Sequence, residues 1–121
     1  MISDSIKLLK VNLSDGSTSK VIKRGYVERF LGGRGVNRWL LLKEINPGTG
    51  PYSAENKIVL GTGLLTATSA PGSGRLQIDS LSPFNGGVAS ANAGGFFAAK
   101  LKAAGWDHIV LEGKSKKPIY L

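Results

Sequence analysis

The chain has 121 residues, 41% hydrophobic and 20% charged, the balance of one globular domain over residues 1–121 and not of a disordered chain. Sixteen lysines and arginines against eight acids leave a net charge of +8, which suits an anionic cofactor, an acidic partner or simply a solvated basic surface. Cysteine is absent, which excludes disulfides, a thiol nucleophile, and a thiolate-held zinc or iron–sulfur centre; the single histidine, His108, excludes an imidazole-rich metal site.

Trp39-Leu40-Leu41-Leu42 is the longest apolar run, far too short to span a bilayer, so no membrane association is expected. Met1-Ile2-Ser3-Asp4-Ser5 carries an acid and no apolar core, so no leader is expected and a cytoplasmic location is the default. Nucleic acid is disfavoured because the basic residues are scattered along the chain and are not interleaved with aromatics on one face.

In chain order, Ile6, Leu8, Leu9, Val11 and Leu13 approximate alternation and predict a strand. A turn at Ser14-Asp15-Gly16-Ser17 returns the chain as a second strand over Thr18–Ile22. Tyr26, Val27, Phe30 and Leu31 have helical spacing, and Gly32-Gly33-Arg34-Gly35 is expected to break that helix before another runs from Val36 to Ile45. Strands are expected next at Lys57–Gly61, Leu76–Leu81 and Gly87–Ala91, the last made of small residues. Gly94-Gly95 is expected to open a helix that Gly105 closes, and Asp107–Leu111 is a further strand. Pro118–Leu121 reads as one more strand, whose edge would pair with a neighbour.

Seventeen glycines fall in clusters, and two clusters suit an anion. Thr66 to Arg75 combines hydroxyls, Gly72 and Gly74 with one guanidinium: glycines let backbone N–H groups face a phosphate, Ser73 and its neighbours add donors, and Arg75 binds bidentately. Ala89 to Gly95 runs from a strand towards a helix, where Asn92 could cap the helix or offer its carbonyl to a cation. Taken one at a time, the local patterns fit a polar surface loop with Arg75 in solvent and an ordinary capped helix better than an anion site; the two together strengthen the anion reading. Neither a Walker loop nor a dinucleotide fingerprint is present. Alternation puts Asp107 and His108 on opposite faces, so no dyad is expected and His108 reads as a surface or interfacial residue. Arg34 reads as a helix-junction residue; Glu44, Glu55 and Asp79 show no pairing, and no catalytic residue is assigned.

Several stretches together resemble the N-terminal region of the aldehyde ferredoxin oxidoreductase family. They are Phe30-Leu31-Gly32-Gly33-Arg34-Gly35, Pro51 to Lys57, Thr66 to Arg75, Ser82-Pro83-Phe84-Asn85-Gly86, Asn92 to Phe97, and Leu101 to Leu121, in collinear order. The resemblance implies an α+β fold, a largely antiparallel sheet with two or three short helices, equivalent to half of that family's N-terminal cofactor-cradle domain. It implies a tungstopterin or molybdopterin cofactor, shared with missing domains or a partner, with Arg75 on a pterin phosphate. Ser73, Gly74, Asn92, Ala93 and Gly94 would border the phosphates, and Asn92 would serve a bridging magnesium. The function implied is a part, inactive alone, of an enzyme that oxidises aldehydes to carboxylates with electrons passing to ferredoxin. A homo-oligomer, or a partner subunit carrying the remaining domains, is expected; the alternative is a non-catalytic paralogue that dimerises. Leu65 and Ala67 stand where family members commonly carry proline and glycine.

Overall fold

A computed structural model describes residues 4–121. Met1-Ile2-Ser3, the start of the stretch for which no leader is expected, lie outside the described residues. The first ribbon keeps to its alternation: β1 (Ser5–Asn12) pairs antiparallel with β2 (Thr18–Arg24). Asp15 tightens the connection by accepting the Ser17 N–H at 2.8 Å.

Two helices come next and cover one face of the sheet. α1 (Tyr26–Phe30) is a short turn, and α2 (Gly33–Glu44) carries Val36, Asn37, Leu40 and Leu41 on its buried side. The expected break at Gly32–Gly35 falls earlier than its glycines suggest, because Gly33 and Gly35 are already helical. Gly35 is there for contact: a Cβ would lie 2.6 Å from the Phe30 carbonyl oxygen, where α1 meets α2.

β3 (Ile58–Gly61), β4 (Leu76–Leu81), β5 (Val88–Ala93), α3 (Phe97–Ala103) and β6 (His108–Glu112) complete the chain. The six strands make one mixed sheet in the order β2-β1-β6-β3-β4-β5. β6 returns between β1 and β3, parallel to β1 and antiparallel to β3, and the other pairings are antiparallel. This is the α+β fold, with three helices, that the resemblance implies. Pro118–Leu121 is a correction: those residues form no strand here. Their burial explains it, since Ile119, Tyr120 and Leu121 are all exposed and reach no sheet.

Each face has its own core. Ile6, Leu8, Val59 and Val110 meet Val27, Val36, Leu40 and Leu41 beneath α1 and α2. On the opposite face Leu76 packs with Ala98 and Leu101 of α3, joined by Leu60, Ile78, Trp106 and Ile109. The C-terminal end of α2 is tied down by charge: Glu44 accepts from Lys10 at 2.8 Å and Lys57 at 3.1 Å, and Lys57 also reaches Glu112 at 2.6 Å. Burial opposes the charge on Glu44, but the Lys10 and Lys57 hydrogen bonds outweigh it and hold the carboxyl below its ordinary pKa.

Candidate functional site

The two glycine-lined turns adjoin at one end of the sheet. Leu76 opens β4 opposite Ala93, the last residue of β5, so Arg75 and Gly94 are the next residues out on each strand. A Cβ built on Gly74 would lie 3.5 Å from the Gly95 carbonyl oxygen. Among the described residues, the turn and loop hydrogen bonds include none donated by the backbone N–H of Ser73, Gly74, Gly94 or Gly95. Arg75 is exposed and its guanidinium makes no hydrogen bond or ion pair among the described residues. The corner therefore offers unspent N–H donors and one free planar cation, the chemistry that suits a phosphoryl group.

Three expectations are corrected here. Three hydroxyls of the first cluster are spent on their own loop: Ser73 Oγ donates to the Ala70 carbonyl at 2.9 Å, Thr66 Oγ1 to the Ser73 carbonyl at 2.8 Å and Thr68 Oγ1 to the Leu65 carbonyl at 2.6 Å. They stiffen the turn and are not free to meet an anion. Asn92 does not cap a helix, because it lies inside β5, and α3 begins only at Phe97. Gly94-Gly95 precede that helix without opening it, and α3, seven residues long, is too short to contribute much of a dipole.

His108 is a further correction. It is fully buried, not at the surface, because β6 is an interior strand and its side chain shares the α2 face with Leu8 and Val110. Its Nδ1 lies 2.8 Å from Asn37 Oδ1, and Gly61 leaves the space, since a Cβ there would collide with both groups. Burial drives its pKa down to about 4; Asp107 opposes that shift and Lys102 adds to it.

Sequence reading missed a buried polar seam beneath α2. Asp79 is 1% exposed and accepts from Asn37 Nδ2 at 2.9 Å, Gln77 Nε2 at 3.0 Å and Ser90 Oγ, with Arg38 Nε 3.8 Å away. A carboxylate only accepts, so it sets the direction of both amides. Gln77 must turn its oxygen outward, where Asn92 Nδ2 donates to it at 2.7 Å, leaving Asn92 Oδ1 facing away from the seam. Asn37 likewise turns its oxygen to His108, so His108 carries its proton on Nδ1, and Nε2 is a buried acceptor without a partner. One carboxylate thus orients a chain ending in a carbonyl oxygen at the glycine corner and another ending in an imidazole lone pair. The signal was legible: Gln77 and Asp79 alternate onto one face of β4, and Asn37 sits in the buried stripe of α2.

His108 also lines a cavity of about 350 Å³ at the junction of α1, β1 and β6, with Lys7, Leu31, Thr62, Leu64 and Lys102. Lys102 is engaged there, 3.0 Å from Asp107 and 3.1 Å from the Gly63 carbonyl. Among the described residues, no group of three or more histidines and acids could hold a metal ion. A cation at Asn92 would need its remaining ligands from phosphate oxygens, backbone carbonyls and water, which suits magnesium. No described helix is long and apolar enough to cross a membrane.

Residues 8–121 match the family described as aldehyde ferredoxin oxidoreductase, N-terminal domain. Over 116 residues, 95% of this chain, it is 47% identical to a tungsten-containing aldehyde ferredoxin oxidoreductase of Pyrococcus abyssi, of which the match covers 19%. It is 35% identical over 119 residues to an aliphatic sulfonate oxidoreductase, WOR-like subunit, of Pyrococcus furiosus. Among solved structures, the active-site complex BamBC of benzoyl coenzyme A reductase matches with a TM-score of 0.91 and 37% identity, over 95% of this chain and 18% of that one. The chain thus spans about a fifth of the length of the relatives it matches.

Proposed function

We propose, from the premise that this chain belongs to the aldehyde ferredoxin oxidoreductase family as its N-terminal domain, that it is half of a phosphate cradle for a tungsten-type pterin cofactor. One observation carries the reading: Gly74 and Gly95 lie together, with Arg75 unpaired beside them. In this reading Arg75 binds a pterin phosphate through its planar fork, and the N–H groups of Gly74 and Gly94 take further oxygens. Asn92, Ala93 and Gly94 would border the same phosphate, and Asn92 Oδ1 would be available to a magnesium ion. Ser73 contributes its backbone, its hydroxyl being spent on Ala70.

The cofactor supplies the two-electron chemistry, and this chain's residues bind and orient it. The whole protein would oxidise an aldehyde to a carboxylate and pass electrons to ferredoxin through a cluster held elsewhere, since this chain has no cysteine. Relatives named for aldehydes, an aliphatic sulfonate and benzoyl coenzyme A all match this segment, which supports a part in cofactor binding over one in substrate choice. The remaining domains, on the same polypeptide or a partner, would cover the open β5 edge. Support comes from the exposed Phe84 and Phe96, 93% and 82% accessible beside that strand.

The test is anaerobic co-expression with a polypeptide carrying the remaining domains, then tungsten analysis and pterin fluorescence of the purified complex. Bound pterin is expected, reduced severalfold by Arg75→Gln. A complex that assembles with native Arg75 yet contains no pterin overturns the reading.

A further inference from the structure

α2 packs on β3 and β4 and reaches β5 through long side chains on one flank. Near the start of β5, Val88 shares a groove with Leu42 of the helix and with Ile45, the residue after its end. Two strand residues on, Arg38 Nη2 donates to Ser90 Oγ at 3.1 Å. Two further residues reach Asn92, and one helical turn back from Arg38 is Arg34. Two strand residues advance about 6.6–6.8 Å and four helical residues about 6 Å, so the correspondence holds over this distance. At about 100° per residue Arg34 and Arg38 fall within about 40° of arc, on the flank of α2 from which Arg38 reaches β5. The start of α2 is also fixed at this sheet end, because Gly33 N–H donates to the Thr62 carbonyl at 2.9 Å.

By this step Arg34 lies on the flank of α2 nearest Asn92, on the side of the corner where Arg75 and Gly94 leave their strands. It is exposed, and among the described residues it has no hydrogen-bond or ion-pair partner. Arg38, its neighbour on the flank, is engaged with Ser90 and Asp79, so the helix side of the corner has one free guanidinium and the strand side another. We infer that Arg34 is a second cationic residue of the phosphate site, which makes the corner selective for a ligand with two phosphoryl groups over one. The inference rests on the proposed phosphate cradle. Two planar forks approaching from different elements can each take a separate phosphoryl group bidentately, which a single arginine cannot.

The experiment uses inorganic pyrophosphate and inorganic phosphate, each with and without magnesium, titrated into the 121-residue chain and its Arg34→Gln, Arg34→Lys and Arg75→Gln variants. The native chain is expected to bind pyrophosphate more tightly than phosphate. Arg34→Gln should weaken pyrophosphate roughly tenfold or more while changing phosphate little, and Arg34→Lys should restore part of the loss. Urea midpoints should stay unchanged, because Arg34 holds nothing in the fold. If Arg34→Gln binds pyrophosphate as the native chain does while Arg75→Gln is weakened, the inference is wrong and the phosphate cradle stands. If the native chain binds neither probe, both fall together.

Discussion

The two halves of the sheet beneath α2 are built on opposite principles. Under β1, β6 and β3 the helix meets Ile6, Leu8, Val59 and Val110, an ordinary apolar core. Under β4 and β5 the same helix meets Gln77, Asp79, Ser90 and, through Gln77, Asn92. Apolar packing tolerates reshaping, since any side chain of suitable volume fills it. A hydrogen-bonded seam does not, because each donor has one partner and each partner one direction. In the proposed reading, the half that would hold Asn92 at a fixed angle is the half built from directional bonds.

The comparison breaks most sharply at Asp79. Asp79→Asn keeps the shape but replaces one carboxylate oxygen with an NH2 group, set either against the Asn37 and Gln77 donors or beside Ser90 and Arg38, and should cost about 3 kcal/mol in urea unfolding. The equally shape-preserving Leu8→Met in the apolar half should cost less than about 1.5 kcal/mol. Equal losses would mean the seam is no more directional than the core.

His108 lies where the halves join, and it makes the contrast dependent on pH. Its folded pKa of about 4 is below the unfolded value of 6.5, so the unfolded chain binds the proton more readily. Its contribution is fully present above pH 6.5 and is lost as pH falls towards 4, about 3 kcal/mol in all. Denaturation measured across that window should show this loss in the native chain and a flatter profile in His108→Gln; parallel profiles would remove His108 as the cause.

The smallest effect belongs to the loop that carries Arg75. Ala67 has φ 62°, a left-handed conformation that costs an L-residue about 1 kcal/mol. Ala67→Gly should raise stability by about that amount in thermal unfolding, with no change in pyrophosphate affinity. Both outcomes together would make Ala67 a local strain and not a change in the proposed phosphate corner.

Much of this was legible from residue order. Alternation in β1 and β4 and the Asp15-Gly16 turn gave strands close to their observed limits, and the collinear stretches indicated the family. Pro118–Leu121 misled because apolar content alone cannot supply a pairing partner. His108 misled because burial depends on which strand becomes interior, and β6 reaches its place only by crossing back between β1 and β3.

The sequence by itself determined the chemical inventory: no thiolate, one imidazole, abundant cation and glycine where turns tighten. Those are properties of single residues and their neighbours, which local steric and charge rules already fix. Only the tertiary structure decided which groups are free and which are spent. It used the Ser73 hydroxyl inside its own loop, left Arg75 unpaired, and turned one oxygen of Asn92 outward through a carboxylate thirteen residues away in sequence. A hydrogen-bond direction is set by the far end of its chain, and that end is brought near only by folding.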